Sequence, residues 1–512
     1  MNHEKYAIID IGSNTIRLVI YLRDISGRLK ETENVKVVAR LRNYLTDDVR
    51  LADKGIAILL NTLKSFQEIT RHHQLDEVKC VATATIRQAK NQKEILKKVE
   101  EETDFSIRIL SEYEEAYFGY LAVVNSTPFE SGITIDIGGG STEVTYFKDR
   151  KIINYHSFPF GALSLKKQFV LSDTPTNDEL YLLKTYLSEQ FNTLDWIIDK
   201  KLPIIGIGGS ARNMVQIHQE HIGYPLGGVH QYVMKKQDVQ EINSLLQSLS
   251  FLEIQRIEGL SKDRADIIIP AVEVFKCLMD VVNTDMFALS RKGLRDGVFY
   301  KELTKDFGIA VFPNVIEESL YELAADYHIN LNHVFHVTNS AMNIAQLLNK
   351  AGLSSLNKQD AKLLKRSAFV YNLGAYIDSE SSSQHTFYLL ANRTIDGLLH
   401  RERLIIALIA SFTSKAAFKR NVIPFNQWFT KEELNKYRLL GAILKFSYSL
   451  HATKRNIIDD IDLRLNDEEL LFTFSCQKDW KPEQYQVEKQ KKHLEKQIKK
   501  SITLKFIEKQ NS

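Results

Sequence analysis

The stretch Thr134-Ile-Asp-Ile-Gly-Gly-Gly-Ser-Thr-Glu-Val-Thr145 is the part of the sequence that decides the fold. A β-branched run leads to Asp136, three glycines and a hydroxyl pair follow, and an alternating apolar run resumes at Val144. This pattern predicts a β-hairpin with a polar tip. Glycine allows positive φ and leaves backbone N–H groups accessible, so we expect the tip to bind an anion, most naturally phosphate.

A second copy of the pattern lies upstream. The strand from Tyr6 reaches Asp10, and the turn Gly12-Ser13-Asn14-Thr15 leads into the apolar run Ile16 to Tyr21. The two aspartates are 126 positions apart, which indicates a duplicated domain rather than a short repeat. Two facing hairpins would form a cleft. A third glycine turn, Gly206 to Ser210, follows a strand and precedes a helix, an arrangement that also favours anions.

Strands and helices alternate through the first 300 residues, which is typical of α/β organisation. Amphipathic spacing predicts a helix over 53–72, and Thr176 begins a capping box for another. From about residue 315 to 450, long segments of 3.6-residue period predict a helical domain. We expect a hairpin over 462–475, around an Asn-Asp turn, and a final helix over about 484–500.

Composition excludes several classes of protein. The chain has 512 residues, of which 44% are hydrophobic and 26% charged, and such values suit a globular protein of three or four domains. The N-terminus shows no signal-peptide pattern, and the longest apolar run is too short for a membrane span, so we expect a cytoplasmic protein without a membrane partner. The net charge of +3 argues against nucleic-acid binding.

The charge is unevenly distributed. Residues 401–455 contain eleven Lys and Arg against three acids. Such a block can be an ordinary solvated helix face, or it can bind a polymeric anion. As the polyanion alternative we consider a track that includes Lys415, Lys419 and Arg420.

Two Asp-Gly-hydroxyl hairpins and a later glycine turn resemble the actin-like, ribonuclease H-like superfamily of phosphate-handling proteins. The finer pattern resembles the exopolyphosphatase/guanosine pentaphosphate phosphohydrolase (Ppx/GppA) family. Six motifs, in order over the first 300 residues, carry this resemblance: Asp10 to Asn14, Ala82 to Ala89, Glu114 to Ala116, Asp136 to Glu143, Gly206 to Ser210 and Leu289 to Gly297. It implies an α/β fold with duplicated actin-like domains, a helical HD-like domain and a small α+β tail. The corresponding boundaries are 1–128, 129–308, 309–455 and 456–512.

The resemblance implies hydrolysis of a terminal phosphoanhydride with a divalent metal, usually Mg²⁺, by a homodimer. It places the catalytic base at Glu115, the second acid of Glu-Glu-Ala, and leaves a structural role for Glu114. A carboxylate that faces a phosphate cleft could take a proton from attacking water. Arg87 resembles the arginine that holds phosphate in the family, and Arg264 and Arg295 are weaker candidates.

Carboxylates beside the glycine tips are the candidate metal ligands. Asp136 and Glu143 flank one tip and Asp10 precedes the other, and hard oxygen ligands suit Mg²⁺. An alternative for each is a turn carboxylate that only caps backbone amides. The candidate phosphate-binding residues lie in the three glycine turns, and they are Gly12, Ser13, Asn14, Thr15, Gly138, Gly139, Gly140, Ser141, Gly208, Gly209 and Ser210.

The helical part departs from the family's pattern. Its relatives among metal-dependent phosphohydrolases use histidines and a His-Asp pair, but Tyr371 and Asn372 occupy the positions of that pair here. His333, His336 and His385 remain, and without the pair we expect no second metal centre.

The leading hypothesis is therefore an Mg²⁺-dependent exopolyphosphatase that releases orthophosphate from the end of inorganic polyphosphate. The alternative is a guanosine pentaphosphate 5′-phosphohydrolase that uses the same residues. A kinase of the same superfamily and a non-enzymatic protein that binds polyphosphate or an alarmone are further readings. The basic excess favours polyphosphate, because a polymeric anion needs a longer basic surface than a nucleotide does.

Overall fold

The computed structural model describes residues 5–23, 29–466 and 469–508. These residues belong to two compact units. The first comprises Met1–Tyr224 with Val229–Val315, and the second comprises Pro225–Gly228 with Ile316–Ser512. Within the described ranges, no helix has both the length and the apolar character needed to cross a membrane.

The first sheet of the first unit has five strands in the order β3-β2-β1-β4-β5. Strand β2 is antiparallel to β1 and β3, whereas β4 is parallel to β1 and β5. Their bounds are β1 Lys5–Ile11, β2 Thr15–Arg23, β3 Leu29–Val38, β4 Glu77–Ala82 and β5 Ile107–Ile109.

The second sheet repeats this arrangement with one more strand, in the order β10-β11-β9-β6-β7-β8. Strand β7 is antiparallel to β6 and β8, and β6, β9 and β11 run parallel. Their bounds are β6 Gly132–Ile137, β7 Thr142–Lys148, β8 Lys151–Phe158, β9 Ile204–Ile207, β10 Val233–Lys235 and β11 Met286–Leu289. Ile133, Ile135 and Val144 of this hairpin are fully buried in one apolar core, which fixes the strand register.

Helices connect the strands of the first unit. They are α1 Asp53–His73, α2 Ala84–Gln88, α3 Gln92–Glu102, α4 Glu112–Val124, α5 Ala162–Phe169, α6 Asn177–Asn192, α7 Gly208–His221, α8 Lys236–Ser248, α9 Phe251–Ile254, α10 Ile268–Val282 and α11 Leu294–Thr304. The predicted helix at 53–72 is confirmed, as is the capping box of Thr176, whose side chain accepts from the Glu179 amide. Because β1 and β4 are parallel, as are β6 and β9, polar residues at their carboxyl ends meet along one edge of each sheet.

The second unit is mainly helical, as the sequence predicts. Its helices are α12 Val315–Asp326, α13 Leu331–Lys350, α14 Lys358–Phe369, α15 Ser382–Asn392, α16 His400–Ala410, α17 Lys415–Val422, α18 Lys431–Leu450, α19 Lys481–Gln490 and α20 Lys492–Ile498. Its sheet has the order β12-β13-β14, with bounds β12 Ile458–Leu465, β13 Glu469–Cys476 and β14 Ser501–Glu508.

The C-terminal part differs from the prediction. The expected helix over 484–500 is wrong in extent: two helices, α19 and α20, are separated at Lys491, and a strand follows them. Strand β14, over residues for which the sequence predicted no strand, pairs in parallel with β13 and completes the sheet. The hairpin of β12 and β13 is confirmed, although residues 467–468 of its predicted turn lie outside the described residues.

Candidate active site

A polar cavity of about 200 Å³ lies in the first unit, where the two glycine-tipped hairpins face each other. A Cβ placed on Gly139 of the second tip would come within 3.0 Å of the Ser13 Cβ in the first, so glycine is needed for this approach. The predicted residues that line the cavity are Asp10, Gly12, Ser13, Asn14, Thr15, Glu115, Asp136, Gly138, Gly139, Ser141, Glu143, Gly208 and Gly209.

The second hairpin places two carboxylates side by side. Asp136 on β6 and Glu143 on β7 are direct cross-strand partners. Glu143 is only 4% exposed, and its Oε1 accepts a hydrogen bond from Ser157 Oγ at 3.0 Å. Burial and the neighbouring carboxylates Glu115 and Asp136 raise the pKa of Glu143 well above its usual range. Two carboxylates that face each other across a strand pair repel and oppose folding, and a bound cation would reduce this repulsion.

Asp136 shares this negative environment. Burial and the Asp10 carboxylate raise the pKa of Asp136 to about 6, while the guanidinium groups of Arg264, Arg295 and Arg212 act in the opposite direction. The third glycine turn approaches Asp136 closely at Gly208. A Cβ at this position would lie 2.6 Å from Asp136 Oδ1, so only glycine fits there. Gly208 also has a φ of +84°, so a side chain would add backbone strain.

Glu115 lies in the first turns of α4 and faces the same cavity. Arg87 Nη1 donates to Glu115 Oε2 at 2.7 Å and to the Leu110 carbonyl at 3.0 Å. Burial raises the pKa of Glu115 to about 7, and Asp136 and Asp10 contribute, against the opposing effect of Arg87. This pKa suits a group that must accept a proton near neutral pH.

Glu114, the other acid of the pair, has a different environment. Its carboxylate accepts from the Ser111 amide at 3.0 Å, and the Ser111 side chain accepts from the Glu114 amide, which completes a capping box at the start of α4. Glu114 also pairs with Arg108. Glu114 therefore caps the start of α4 and pairs with Arg108, which agrees with the structural role expected for it.

The first hairpin places a cation opposite its aspartate. Asp10 is the cross-strand partner of Arg17, and Arg295 Nη1 lies 3.8 Å from Asp10 Oδ2. Burial raises the pKa of Asp10, and Arg295 and Arg17 oppose the shift. Burial and the neighbouring Arg295 and Arg212 lower the pKa of Arg17 to about 10. Guanidinium groups therefore oppose the pKa shift of Asp10, whereas neighbouring carboxylates add to that of Glu143.

The glycine turns do not offer all of the amides that the sequence suggested. The Gly12 N–H donates to the Thr15 carbonyl at 3.0 Å, and the Gly138 N–H donates to Ser141 O at 2.9 Å, so both close their own turns. Asn14 is 7% exposed, and neither its Nδ2 nor its Oδ1 has a protein partner. A buried amide without partners in a polar cavity indicates a ligand contact.

Three of the predicted phosphate-binding residues do not line the cavity directly. Gly140 packs against Arg42, since a Cβ on it would lie 3.1 Å from Arg42 Nε. Ser210 Oγ accepts from Arg264 Nη1 at 3.2 Å, and Arg264 itself lines the cavity. Arg87 contacts Glu115 instead, and its buried Nη2 has no protein partner.

Several cavity residues were not found from the sequence. Arg17, Lys36, Arg212 and Arg291 line the cavity with Arg264 and Arg295, and together they give it a cationic wall. Two signals could have identified members of this set. Arg212 lies in the first turns of α7, where a cation opposes the helix dipole, and Arg17 interrupts the apolar run of β2 two residues after Thr15.

The basic and histidine residues of the second unit lie in two separate places. Lys415 and Lys419, one helical turn apart on α17, line a groove, whereas the exposed Arg420 does not line it.

Tyr371 packs against Tyr448 with ring centroids 4.7 Å apart, and Asn372 Nδ2 lies 3.5 Å from the Tyr448 hydroxyl. His333 and His336 lie near His451, whereas His385 is on α15.

A comparison with known protein families identifies this architecture. Residues 23–306 match the Ppx/GppA phosphatase family. The chain belongs to the Ppx/GppA phosphatase family. Residues 315–497 match domain III of the same family. The predicted fold, duplicated actin-like domains followed by a helical domain, is confirmed, and so is the family predicted from the six motifs.

Individual Ppx/GppA proteins carry different names. A guanosine-5′-triphosphate,3′-diphosphate pyrophosphatase of Aeromonas salmonicida is 24% identical over 493 residues, which cover 94% of this chain and 95% of the relative. A Haemophilus influenzae protein named as a candidate exopolyphosphatase is 27% identical over 60% of this chain and 94% of its own. The crystal structure of the Aquifex aeolicus family member has a TM-score of 0.52 at 27% identity, and it covers 60% of this chain and 99% of its own.

The side chains available as ligands determine whether Mg²⁺ could bind at the cavity. Across residues 5–23, 29–466 and 469–508, no three or more His, Cys, Asp or Glu side chains are grouped closely enough to hold a metal ion by themselves. Mg²⁺ does not require such a cage, because it usually keeps several waters and binds one or two carboxylates plus substrate phosphates. Burial, together with neighbouring carboxylates, raises the pKa values of Asp136 and Glu143, and a divalent cation beside this pair would favour their ionised forms.

Proposed function

We propose that the chain is an exopolyphosphatase that hydrolyses the terminal phosphoanhydride of inorganic polyphosphate and releases orthophosphate. The observation that carries the proposal is the position of Glu115. This carboxylate, held by Arg87 at 2.7 Å, faces a cavity lined by two glycine tips and a cationic wall. Phosphoryl transfer needs the phosphates held in line, their charge neutralised and the attacking water oriented, and each need has a candidate group here.

In the proposed reaction, the oxygen of a water molecule forms a bond to the terminal phosphorus while the bridging P–O bond breaks. Glu115 takes the proton from the water, and the bond electrons leave with the shortened polyphosphate chain. The guanidinium groups of Arg17, Arg212 and Arg295 stabilise charge on the phosphates. The tip amides that do not close their own turns, together with the side chains of Asn14 and Ser141, orient the terminal group.

Asp136, Glu143 and Asp10 are the residues that would hold Mg²⁺ in this proposal. The cation would supply charge neutralisation at the phosphates. Asp136 and Glu143 are the stronger pair, because they face each other with no cation opposite either of them in the strand register. Asp10 has Arg17 opposite and Arg295 nearby, so we assign it a contribution through a bound water.

Polyphosphate is preferred to a nucleotide for two reasons. Among the described residues that line the cavity, none is aromatic, so no side chain there offers a face on which a guanine could stack. The second unit also carries the basic residues discussed above, which suit a long anion. Guanosine pentaphosphate is the second candidate, because the Aeromonas relative that spans nearly the whole chain is named for that activity.

The test is a comparison of orthophosphate release from long-chain polyphosphate and from guanosine pentaphosphate, at equal concentrations and with Mg²⁺. We expect a higher kcat/KM for polyphosphate. A clear preference for the nucleotide would reverse the order of the two candidates. Binding of either substrate without orthophosphate release, across a series of divalent metals, would favour a binding protein instead.

A further inference from the structure

Arg264, one of the weaker candidates from the sequence, lies against the third glycine turn. A Cβ on Gly209 would overlap the Arg264 guanidinium, and Arg264 Nη1 donates to Ser210 Oγ at 3.2 Å. Arg264 belongs to the segment 261–267, which immediately precedes α10 and which we call the α10 entry loop. This loop brings Arg264 to the cavity, so the position of the loop sets the position of the guanidinium.

Arg40, which follows β3, holds the α10 entry loop on both sides of Arg264. Arg40 Nη2 donates to the Asp263 carbonyl at 2.8 Å, and Arg40 Nη1 donates to Asp266 Oδ2 at 3.2 Å. Lys36 Nζ forms a second ion pair with the loop, to Asp263 Oδ2 at 3.2 Å. Arg40 itself does not line the cavity, so we expect it to act on a ligand there only through the loop.

The backbone of Arg40 has an unusual conformation. Its φ of +44° and ψ of +44° lie in the left-handed region, which is uncommon for a residue with a Cβ. Residues that a fold keeps in this region cluster at functional sites. The Arg40 amide donates to the Asn14 carbonyl at 2.9 Å, so the same residue is tied to the first glycine tip. Arg40 therefore connects the first glycine tip with the loop that carries Arg264.

The contacts of Arg40 are suited to fix geometry rather than to add stability. The side chains of Arg40 and Asp266 are 32% and 25% exposed, and ion pairs near the surface usually add little to the free energy of unfolding. Burial lowers the pKa of the Arg264 guanidinium, while the Asp263 and Asp136 carboxylates act in the opposite direction. The five N–H donors of a guanidinium lie in one rigid plane, so donation to a phosphate depends on the orientation of that plane.

We propose that Arg40 is a positioning residue for substrate binding, because it fixes the α10 entry loop and so holds the Arg264 guanidinium over the third glycine turn. The proposal rests on the proposed function for the class of its ligand, a chain or group of phosphates. Arginine donates to phosphate oxygens through a fork of two N–H groups, and a displacement of about 1 Å is enough to misalign such a contact. Loss of Arg40 should therefore weaken phosphate binding without removing a group that contacts phosphate.

Steady-state kinetics of four proteins test the proposal: wild type, Arg40→Gln, Arg264→Gln and the double variant. Long-chain polyphosphate and guanosine pentaphosphate serve as substrates in parallel, with Mg²⁺. We expect Arg40→Gln to raise KM about three- to tenfold, with kcat within about twofold of wild type, since only binding is affected. The double variant should have the KM of Arg264→Gln to within about twofold, because Arg40 acts through Arg264.

The matched control is Arg71→Gln. Arg71 pairs with Asp104 through two hydrogen bonds of 2.9 and 2.6 Å, and neither residue lines the cavity. Its KM and kcat should remain within about twofold of wild type. Thermal melts identify any variant that fails to fold, and Arg264→Lys replaces Arg264→Gln if that variant does. A role of Arg40 in stability alone would lower Tm and leave KM unchanged, which would overturn the proposal.

Amide hydrogen exchange of the α10 entry loop tests the positioning step without a substrate. The Arg264 amide donates to the Ser261 carbonyl at 2.9 Å, and the Ile267 amide donates to the Arg264 carbonyl at 3.1 Å. We expect Arg40→Gln to speed the exchange of these two amides by about tenfold, and Arg71→Gln to leave it unchanged. Wild-type exchange rates in Arg40→Gln would overturn the proposal.

The combined results separate this assignment from the proposed function. If wild type releases orthophosphate from polyphosphate, but the KM effects of Arg40→Gln and Arg264→Gln multiply in the double variant, only the Arg40 assignment fails. If only guanosine pentaphosphate is hydrolysed, and Arg40→Gln adds nothing to Arg264→Gln with this substrate, the exopolyphosphatase proposal fails and the Arg40 assignment stands. If neither substrate is hydrolysed, the Kd values of the four proteins for both ligands replace KM in the same comparison.

Discussion

The two hairpins at the cavity have the same topology and opposite electrostatics. In each, an aspartate ends the first strand, a glycine turn follows, and the partner across the ladder comes from the second strand. Asp10 has Arg17 opposite, whereas Asp136 has Glu143 opposite. The first pair joins opposite charges, and the second places two acids together in a buried site.

This difference suggests a division of labour within a duplicated frame. The first hairpin has its own positive charge and presents Arg17 to the cavity, so it is suited to contact phosphate. The second places Asp136 and Glu143 near Glu115, so it is suited to bind a cation beside the proposed base. We expect substitutions in the second hairpin and around Glu115 to affect turnover, and substitutions in the first to affect substrate affinity.

The largest effect is expected at Glu115, the proposed base beside the second hairpin. Glu115→Gln keeps the shape of the side chain but removes the proton acceptor, and kcat should fall by about 10²–10⁴-fold. Rates of orthophosphate release under saturating substrate measure this. Glu114→Gln is the matched control, because Glu114 caps α4, and its kcat should remain within about twofold of wild type. Similar losses of kcat in both variants would contradict the assignment of Glu115 as the base.

The next largest effect is on the Mg²⁺ requirement, which should change for variants of the second hairpin but not for those of the first. Glu143→Gln should raise the Mg²⁺ concentration for half-maximal activity by about tenfold or more, because it removes one of two facing carboxylates. In chelator, the same variant should be more stable than wild type, since the like-charge pair is relieved. Activity titrations with Mg²⁺ and thermal melts give the two readouts. An unchanged Mg²⁺ requirement would contradict the metal role of Glu143.

Arg17→Gln is the corresponding change in the first hairpin. We expect KM for polyphosphate to rise about tenfold, because a guanidinium that contacts phosphate is lost, while the Mg²⁺ requirement stays close to wild type. Steady-state kinetics at several Mg²⁺ concentrations measure both quantities. If Arg17→Gln and Glu143→Gln shift the Mg²⁺ requirement equally, the proposed division between the hairpins is wrong.

The smallest effect is on stability. Glu115 and Asp136 have raised pKa values in the fold, about 7 and about 6, so the native state binds their protons more tightly than the unfolded state does. Their contribution to the free energy of unfolding is therefore present at low pH and declines as pH rises from about 4 to 7. In chelator, Tm of wild type relative to Glu115→Gln should fall by a few degrees over this range. A relative Tm that rises instead would contradict the shifts.

The sequence predicted the parts of the site that local chemistry determines. Glycine turns after β-branched strands located Asp10, Asp136 and Gly208, because these turns depend on residues that are adjacent in the chain. The family resemblance located Glu115. The cationic wall was predicted only in part: Arg264 and Arg295 were named as weaker candidates, whereas Arg291 and Lys36 reach the cavity from elements that only the tertiary fold brings together.

The fold shows the same limit. Hairpins and amphipathic helices were predicted where their periodicity was uninterrupted, but strand β14 was missed. Its parallel partner β13 is about 30 residues upstream, and pairing over that distance leaves no local signal. The sequence also did not predict that the Gly12 and Gly138 amides donate hydrogen bonds within their own turns and not to a ligand.

The central claim is that water attacks the terminal phosphorus of polyphosphate at the cavity of the first unit. Orthophosphate release in ¹⁸O-labelled water, with Mg²⁺ and no other acceptor, tests it most directly. The account predicts one ¹⁸O atom in each released orthophosphate, none in the remaining chain, and loss of release in Glu115→Gln. Absence of release until a second acceptor substrate is added would contradict the account and would indicate a kinase.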